Sequence, residues 1–346
     1  MQNFTGPKKT FVQIVVSYTQ GDGIGNIITS FHEKAQKEGH PSFIFSLAGN
    51  KDTTLAPEEL KSKAQGLAQK DTVLIYHYGS PHPILDALFK NLPEDRRVFY
   101  YHNVTPEKFF WPWEPPIARI VANHEDHLKT LLAGKWKVTA DSYFNFEHIP
   151  NHESLQRLKP TIPAKIEQER NRFPDVIQKK TDHSQGSDIH ITFVGRFAPN
   201  KRQEILIYLA YRLRQAGLPT RLSLVGKGMG LYKIYIKLVI KLFKMRPYVD
   251  IIEKANDDDL EVIFSKSNYC AISSEHEGFC LPLFESLYRG LIPIVRPFGS
   301  LKEYLNGTEF CSPSESLESF VRTSERIIRD TWNKENAYAL ALNTAV

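Results

Sequence analysis

Short apolar runs rich in β-branched and aromatic residues recur at "FVQIVV" (11–16), "SFIFSL" (42–47), "TVLIYH" (72–77) and "RVFYYH" (97–102). The segments between them carry helical spacing. This alternation predicts parallel strands joined by helical crossovers, hence an α/β sheet. A polar stretch, "QKKTDHSQGSD" (178–188), interrupts the rhythm and reads as a linker. It resumes with "IHITFVG" (189–195), "RLSLVG" (221–226), "VDIIE" (249–253), "YCAIS" (269–273) and "IPIVR" (292–296). Two separately wound α/β domains are expected, over 1–180 and 181–330, with 331–346 as a C-terminal helix returning to the first domain. Ligands of such sheets bind beyond the carboxyl ends of the strands. The chemically notable residues sit there in both halves, which points to a cleft between domains.

A length of 346 residues suits two domains. No apolar stretch is long enough to cross a bilayer, and "MQNFTGPKKTF" lacks the apolar core of a secretory signal. Three cysteines without a CxxC pair fit a reducing cytoplasm. The net charge of +5 favours anionic partners without choosing among them. No nucleic-acid partner is expected.

Candidate chemistry follows the strands. After the first comes "TQGDGIGNII", where Gly21, Gly23 and Gly25 lead into a helix. Such a turn lets backbone amides approach a phosphate, or simply makes a tight turn. Its GxGxG spacing is not the dinucleotide fingerprint. "YYHNVTP" places His102 past the fourth strand, as a donor to a substrate hydroxyl or as a structural histidine. His124 and His127 lie three apart on a helix, but the HExxH pattern is absent and no metal is assigned. "FVGRFAPNKRQEIL" offers Arg196 and Lys201 around one loop, able to clamp a diphosphate.

The segment "SSEHEGFCLPLFESLYRGLIPIV" (273–295) sets Glu277 and Glu285 eight positions apart. Proline favours a helix start, so a helix is expected from near Pro282 to Gly290, with Glu277 in the preceding loop and Glu285 in the first turn. Amides of Gly278, Phe279, Cys280 and Leu281 would then form an anion site between two carboxylates. Each carboxylate can accept from a sugar diol. That arrangement suits a nucleotide sugar; helix-dipole stabilisation by Glu285 is the bland alternative.

"EGFCLPLFE" resembles the E-x7-E motif of retaining glycosyltransferases of the GT-B fold, family 4, which build bacterial surface polysaccharides. "FVGRFAPNKRQ", "LVGKG", "YHNVTP" and "ADSYFN" resemble that family's other landmarks in the same order. The resemblance implies two Rossmann-like domains, the first for the acceptor and the second for the donor. It implies catalytic roles for His102, Arg196, Lys201 and Glu277. Glu277 would hold donor-sugar hydroxyls and Glu285 the ribose. Arg196 and Lys201 would neutralise the diphosphate without a metal or other cofactor, helped by amides near Gly25 and Phe279. His102 would line the site beside the anomeric carbon. Gly23, Gly25, Gly226, Gly278, Phe279, Cys280, Leu281 and Glu285 make up the implied donor-binding set. The family commonly has glycine where this chain has Cys280.

The implied reaction moves a hexose from GDP-mannose or a UDP-hexose to a glycan or lipid-linked hydroxyl with retention. Its rivals are a glycoside hydrolase using Glu277 and Glu285, and a non-catalytic nucleotide or polyanion binder. In "YKIYIKLVIKLFKMR", Lys233, Lys237, Lys241 and Lys244 share one edge of a helix. That edge reads as solvated lysines or as a peripheral contact with an anionic membrane.

Overall fold

The computed structural model describes residues 7–160, 188–228 and 230–332. The polar stretch at 178–188, except Asp188, and the tail from 333 onward lie outside the described residues. So does the expected domain boundary near 180. By its internal contacts the chain divides into two compact units, one of Met1–Glu107 with Pro116–Glu167, the other of Lys108–Pro115 with Gln168–Val346.

The first unit holds a six-stranded parallel sheet: β1 Thr10–Tyr18, β2 Ser42–Gly49, β3 Thr72–Tyr78, β4 Arg97–Tyr101, β5 Trp136–Ala140 and β6 Leu155–Arg157, in the order β2-β1-β3-β4-β5-β6. Four strands match the expected apolar runs. The last two lack such a run: β5 is "WKVTA", with Lys137 interrupting it, and β6 is three residues long. Pairing of β5 with β4, and of β6 with β5, makes them strands more than their own composition does.

The second unit holds β7 Ile189–Val194, β8 Thr220–Val225, β9 Val249–Ile252, β10 Tyr269–Ile272 and β11 Ile292–Val295, in the order β11-β10-β7-β8-β9. All its pairs are parallel. Both faces are covered, as continuous apolar strands require. Alternate residues of β10 show it: Tyr269 and Ala271 join the core with Ile191, Phe193 and Leu209, while Cys270 and Ile272 pack with Leu283, Leu287 and Val295 on the other face.

Strand order reverses between β1 and β3 in the first sheet and between β7 and β10 in the second. At such a switch point neighbouring connections leave toward opposite faces and open a crevice at the strands' carboxyl ends. Arg196 and Lys201 follow β7, and Glu277 follows β10. The second sheet therefore brings together residues some 80 positions apart.

Candidate active site

In the second unit, two loops interlock at the switch point. Asn200 O accepts from Glu275 N at 2.8 Å, and Asn200 Nδ2 donates to His276 O at 3.1 Å. Ser273 Oγ donates to the carbonyls of Lys201 and Arg202, each at 2.9 Å. These bonds fix Lys201 Nζ at 2.7 Å from Glu277 Oε2, while Ser274 Oγ donates to Glu277 Oε1 at 2.6 Å. Both side chains of the pair are largely withdrawn from water, at 18% and 6% exposure. A buried carboxylate needs such partners. Ser300 N, from the segment after β11, donates to Glu277 O and braces the loop from a third side.

Arg196 is exposed, and its guanidinium makes no ion pair among the described residues. Its backbone is held just past β7, since Gln203 Nε2 donates to Arg196 O at 2.8 Å, while its side chain reaches solvent. Gly226 follows β8, with φ +150, and a Cβ there would stand 2.1 Å from Gly195 O. It lets the exits of β7 and β8 touch.

The helix after Glu277 spans Leu281–Leu287, with Pro282 near its start and Gly290 just beyond its end. Because it begins at Leu281, Glu285 lies past the first turn, and the expected first-turn placement is corrected accordingly. Glu285 is buried, as are Phe279, Cys280 and Leu281; Gly278 precedes them in the loop. Phe279 stacks on Phe284 with centroids 5.3 Å apart. Cys280 caps the helix at φ +66, in the left-handed region that favours glycine. This is the backbone reason a glycine suits the position. Burial, then the Glu277 charge, pushes the Cys280 thiol well up, so it is no nucleophile.

Sequence reasoning missed the carboxylate and guanidinium layer beneath. Glu275 Oε1 binds Arg202 Nη1 at 2.9 Å and Arg296 Nη1 at 3.2 Å. Glu204 accepts from Arg202 and from Tyr232 OH. Adjacency of Arg202 to Lys201 and of Glu275 to Glu277 was the only available signal.

The first unit has its own polar chain. Gln13 Nε2 donates to Ile28 O at 3.2 Å, which turns Gln13 Oε1 toward His77 Nε2 at 3.0 Å. His77 Nδ1 meets His102 Nε2 at 2.8 Å, and His102 Nδ1 meets Asp141 Oδ2 at 3.1 Å. Burial, reinforced by His102, holds the His77 pKa well below its ordinary value, so that ring is neutral. With Nε2 bearing its proton, His77 Nδ1 accepts from His102 Nε2. At the far end Val104 N donates to Asn103 Oδ1 at 2.7 Å, Asn103 Nδ2 donates to Asn145 Oδ1 at 2.6 Å, and Asn145 Nδ2 donates to Asp141 Oδ1. Both ends are anchored on backbone groups, so the directions are set.

His102, whose side chain is 1% exposed, thus has both nitrogens engaged within its unit. The glycine turn is likewise self-satisfied: Asp22 Oδ1 accepts from Gly25 N at 2.6 Å and caps the Gly23–Lys37 helix. The Gly25 amide expected near a phosphate faces the chain's own carboxylate. A Cβ at Gly25 would stand 2.0 Å from Thr19 O, so the tight turn alone requires glycine; Gly23 opens the helix. His127 binds Asp86 Oδ2 and Tyr78 OH, each at 2.8 Å, a structural role.

Residues 176–341 match the family of glycosyl transferases group 1. That match covers just under half of the chain. A curated relative, the GDP-mannose:cellobiosyl-diphosphopolyprenol alpha-mannosyltransferase of Komagataeibacter xylinus, is 26% identical over 170 residues, 48% of this chain and 41% of that protein. The aligned part thus spans about two fifths of that relative's length. Among solved structures, a glycosyltransferase from Rickettsia africae aligns over 98% of this chain and 95% of its own, at TM-score 0.64 and 16% identity. WaaG, a glycosyltransferase involved in lipopolysaccharide biosynthesis, aligns over 97% and 95% at TM-score 0.67 and 13% identity. Anabaena HepE, solved with UDP and glucose, aligns over 97% and 95% at TM-score 0.63 and 14% identity. The two parallel-sheet domains are those of the GT-B fold, so the fold expected from the motifs is borne out.

Proposed function

We propose that the chain is a retaining hexosyltransferase that takes a hexose from GDP-mannose or a UDP-hexose and passes it to the hydroxyl of a glycan or lipid-linked acceptor. The observation that carries this reading is the buried Lys201–Glu277 pair at the switch point of the second sheet, within the segment matched to the glycosyltransferase family. The named mannosyltransferase relative and the UDP-bound neighbour support a nucleotide-sugar donor.

In this reading Glu277 accepts from donor-sugar hydroxyls and Glu285 from the ribose. Lys201 keeps one ammonium proton on Glu277 and turns others to the diphosphate, while exposed Arg196 supplies the second charge. Charge developing on the leaving diphosphate is stabilised by these two cations, with no metal required, as the anomeric carbon passes through an oxocarbenium-like state. Gly226, Gly278, Phe279, Cys280 and Leu281 shape the donor pocket. The first unit takes the acceptor.

Thermal-shift titration against GDP, UDP and ADP identifies the base. Release of that nucleotide from its sugar conjugate then measures turnover. Arg196→Ala should lower kcat by about 100-fold or more with the melting temperature unchanged. Full activity in that variant refutes the cationic clamp, and nucleotide affinity without turnover favours a non-catalytic binder.

A further inference from the structure

The helix Gly230–Leu242 is apolar on two faces. Tyr232, Ile236, Val239 and Ile240 are buried in the core of the second unit. Leu231, Ile234, Leu238 and Leu242 are instead 59%, 57%, 59% and 76% exposed. At 100° per residue these four fall within an arc of about 80°, opposite the core face, over roughly 20 Å of helix. Isolated exposed leucines are ordinary; four in one row are not.

A row of cations borders this stripe. Lys237 and Lys241 are exposed on the same helix, followed by exposed Lys244 and Arg246. Among the described residues, Lys237, Lys241 and Lys244 make no ion pair. Lys233 is spent on Glu253, so the exposed part of the edge is its C-terminal part. A depression of about 440 Å³ opens at the helix start, with Leu231 and Ile234 beside Lys233 and Lys237. The segment Lys108–Pro115 packs there, Trp113 lying 5.1 Å from Tyr232, and carries Trp111 at 45% exposure.

We propose that this face docks on an anionic lipid leaflet, with Leu231, Ile234, Leu238 and Leu242 entering the acyl boundary and Lys237, Lys241 and Lys244 meeting headgroup phosphates. Charge complementarity selects this occupant: a narrow aliphatic stripe lies parallel to one lysine edge, the arrangement of a helix resting in a membrane interface, with lysine stems extending outward. The same helix reaches the donor site through Tyr232, whose hydroxyl donates to Glu204 and accepts from Gln203 N. Docking would hold the donor-binding unit against the surface where a lipid-linked acceptor resides. The lipid contact goes beyond the transferase reading; only its consequence for donor and acceptor rests on that reading.

The test is co-sedimentation of the full chain with vesicles of phosphatidylcholine alone or mixed with phosphatidylglycerol. Binding is expected only with the anionic lipid, and it should weaken with salt. Leu238→Ser with Leu242→Ser, and separately Lys237→Ala with Lys241→Ala, should each lower it by roughly tenfold. Both double variants should keep the wild-type nucleotide-induced thermal shift, which verifies folding and separates this outcome from failure of the transferase reading. The proposal is overturned if the chain ignores anionic vesicles or binds neutral ones equally, or if both variants bind like wild type. It is also overturned if the leucine variant merely converts a dimer to a monomer by light scattering, which would make a second copy the occupant.

Discussion

Lys201 and Glu277 depend on each other for burial. Truncating one leaves the other charged and without its ion-pair partner in a site largely withdrawn from water, which costs about 3 kcal/mol. Lys201→Ala should lose that much in urea unfolding, whereas Lys201→Met combined with Glu277→Gln should recover most of it while remaining inactive. Equal losses in the two would mean that the pair contributes nothing through its charge. Cys280 poses a different question. Its side chain packs with Cys270 and Leu283, yet its backbone sits at φ +66, a conformation costing an L-residue roughly 1 kcal/mol or more. Cys280→Gly relieves that strain and Cys280→Ala does not. The glycine variant should therefore be the more stable of the two by about 1 kcal/mol, measured by thermal or chemical unfolding. The motif made Glu277, Lys201 and Cys280 legible one at a time. Their mutual contact was not, because about 75 residues of chain and the order of the strands intervene.

At the scale of elements, β1, β3 and the exit of β4 place Gln13, His77 and His102 on a diagonal across the sheet, since Gln13 is opposite Ile75 and His77 opposite Tyr100. Strand runs betray where a polar residue is buried but not which neighbour satisfies it, since partners are set by register. His77 remains neutral when folded because burial disfavours its charge, whereas in the unfolded chain it titrates near the ordinary value of about 6.5. The unfolded state thus binds the extra proton below that pH, and stability falls as pH falls. Between pH 7.5 and 5.5 this single group removes about 1.4 kcal/mol. His77→Gln should flatten the pH dependence of urea unfolding by that amount. An unchanged slope would show that the folded ring already carries the proton. The helix at Gly230–Leu242 teaches the complementary lesson. Its lysine edge was plain from spacing, but the sequence could not say which of its apolar residues the core would take. Only packing into the core of the second unit separates buried Ile236 from exposed Leu238.

For the whole molecule, periodicity and motifs were enough to determine two α/β units, nine of eleven strands among the described residues, and the loops that carry Lys201 and Glu277. Those features are local: a continuous apolar run, a proline at a helix start or a basic pair after a strand acts through neighbouring residues. Strand order was decided only in three dimensions, and with it came the crevice between β7 and β10, the pairing of Lys201 with Glu277, and the capture of the Gly25 amide by Asp22. Short β5 and β6 became strands because an open sheet edge offered them hydrogen bonds. Local sequence dictates what each segment can form, whereas which polar groups meet and which apolar faces stay in water depends on packing between segments distant along the chain.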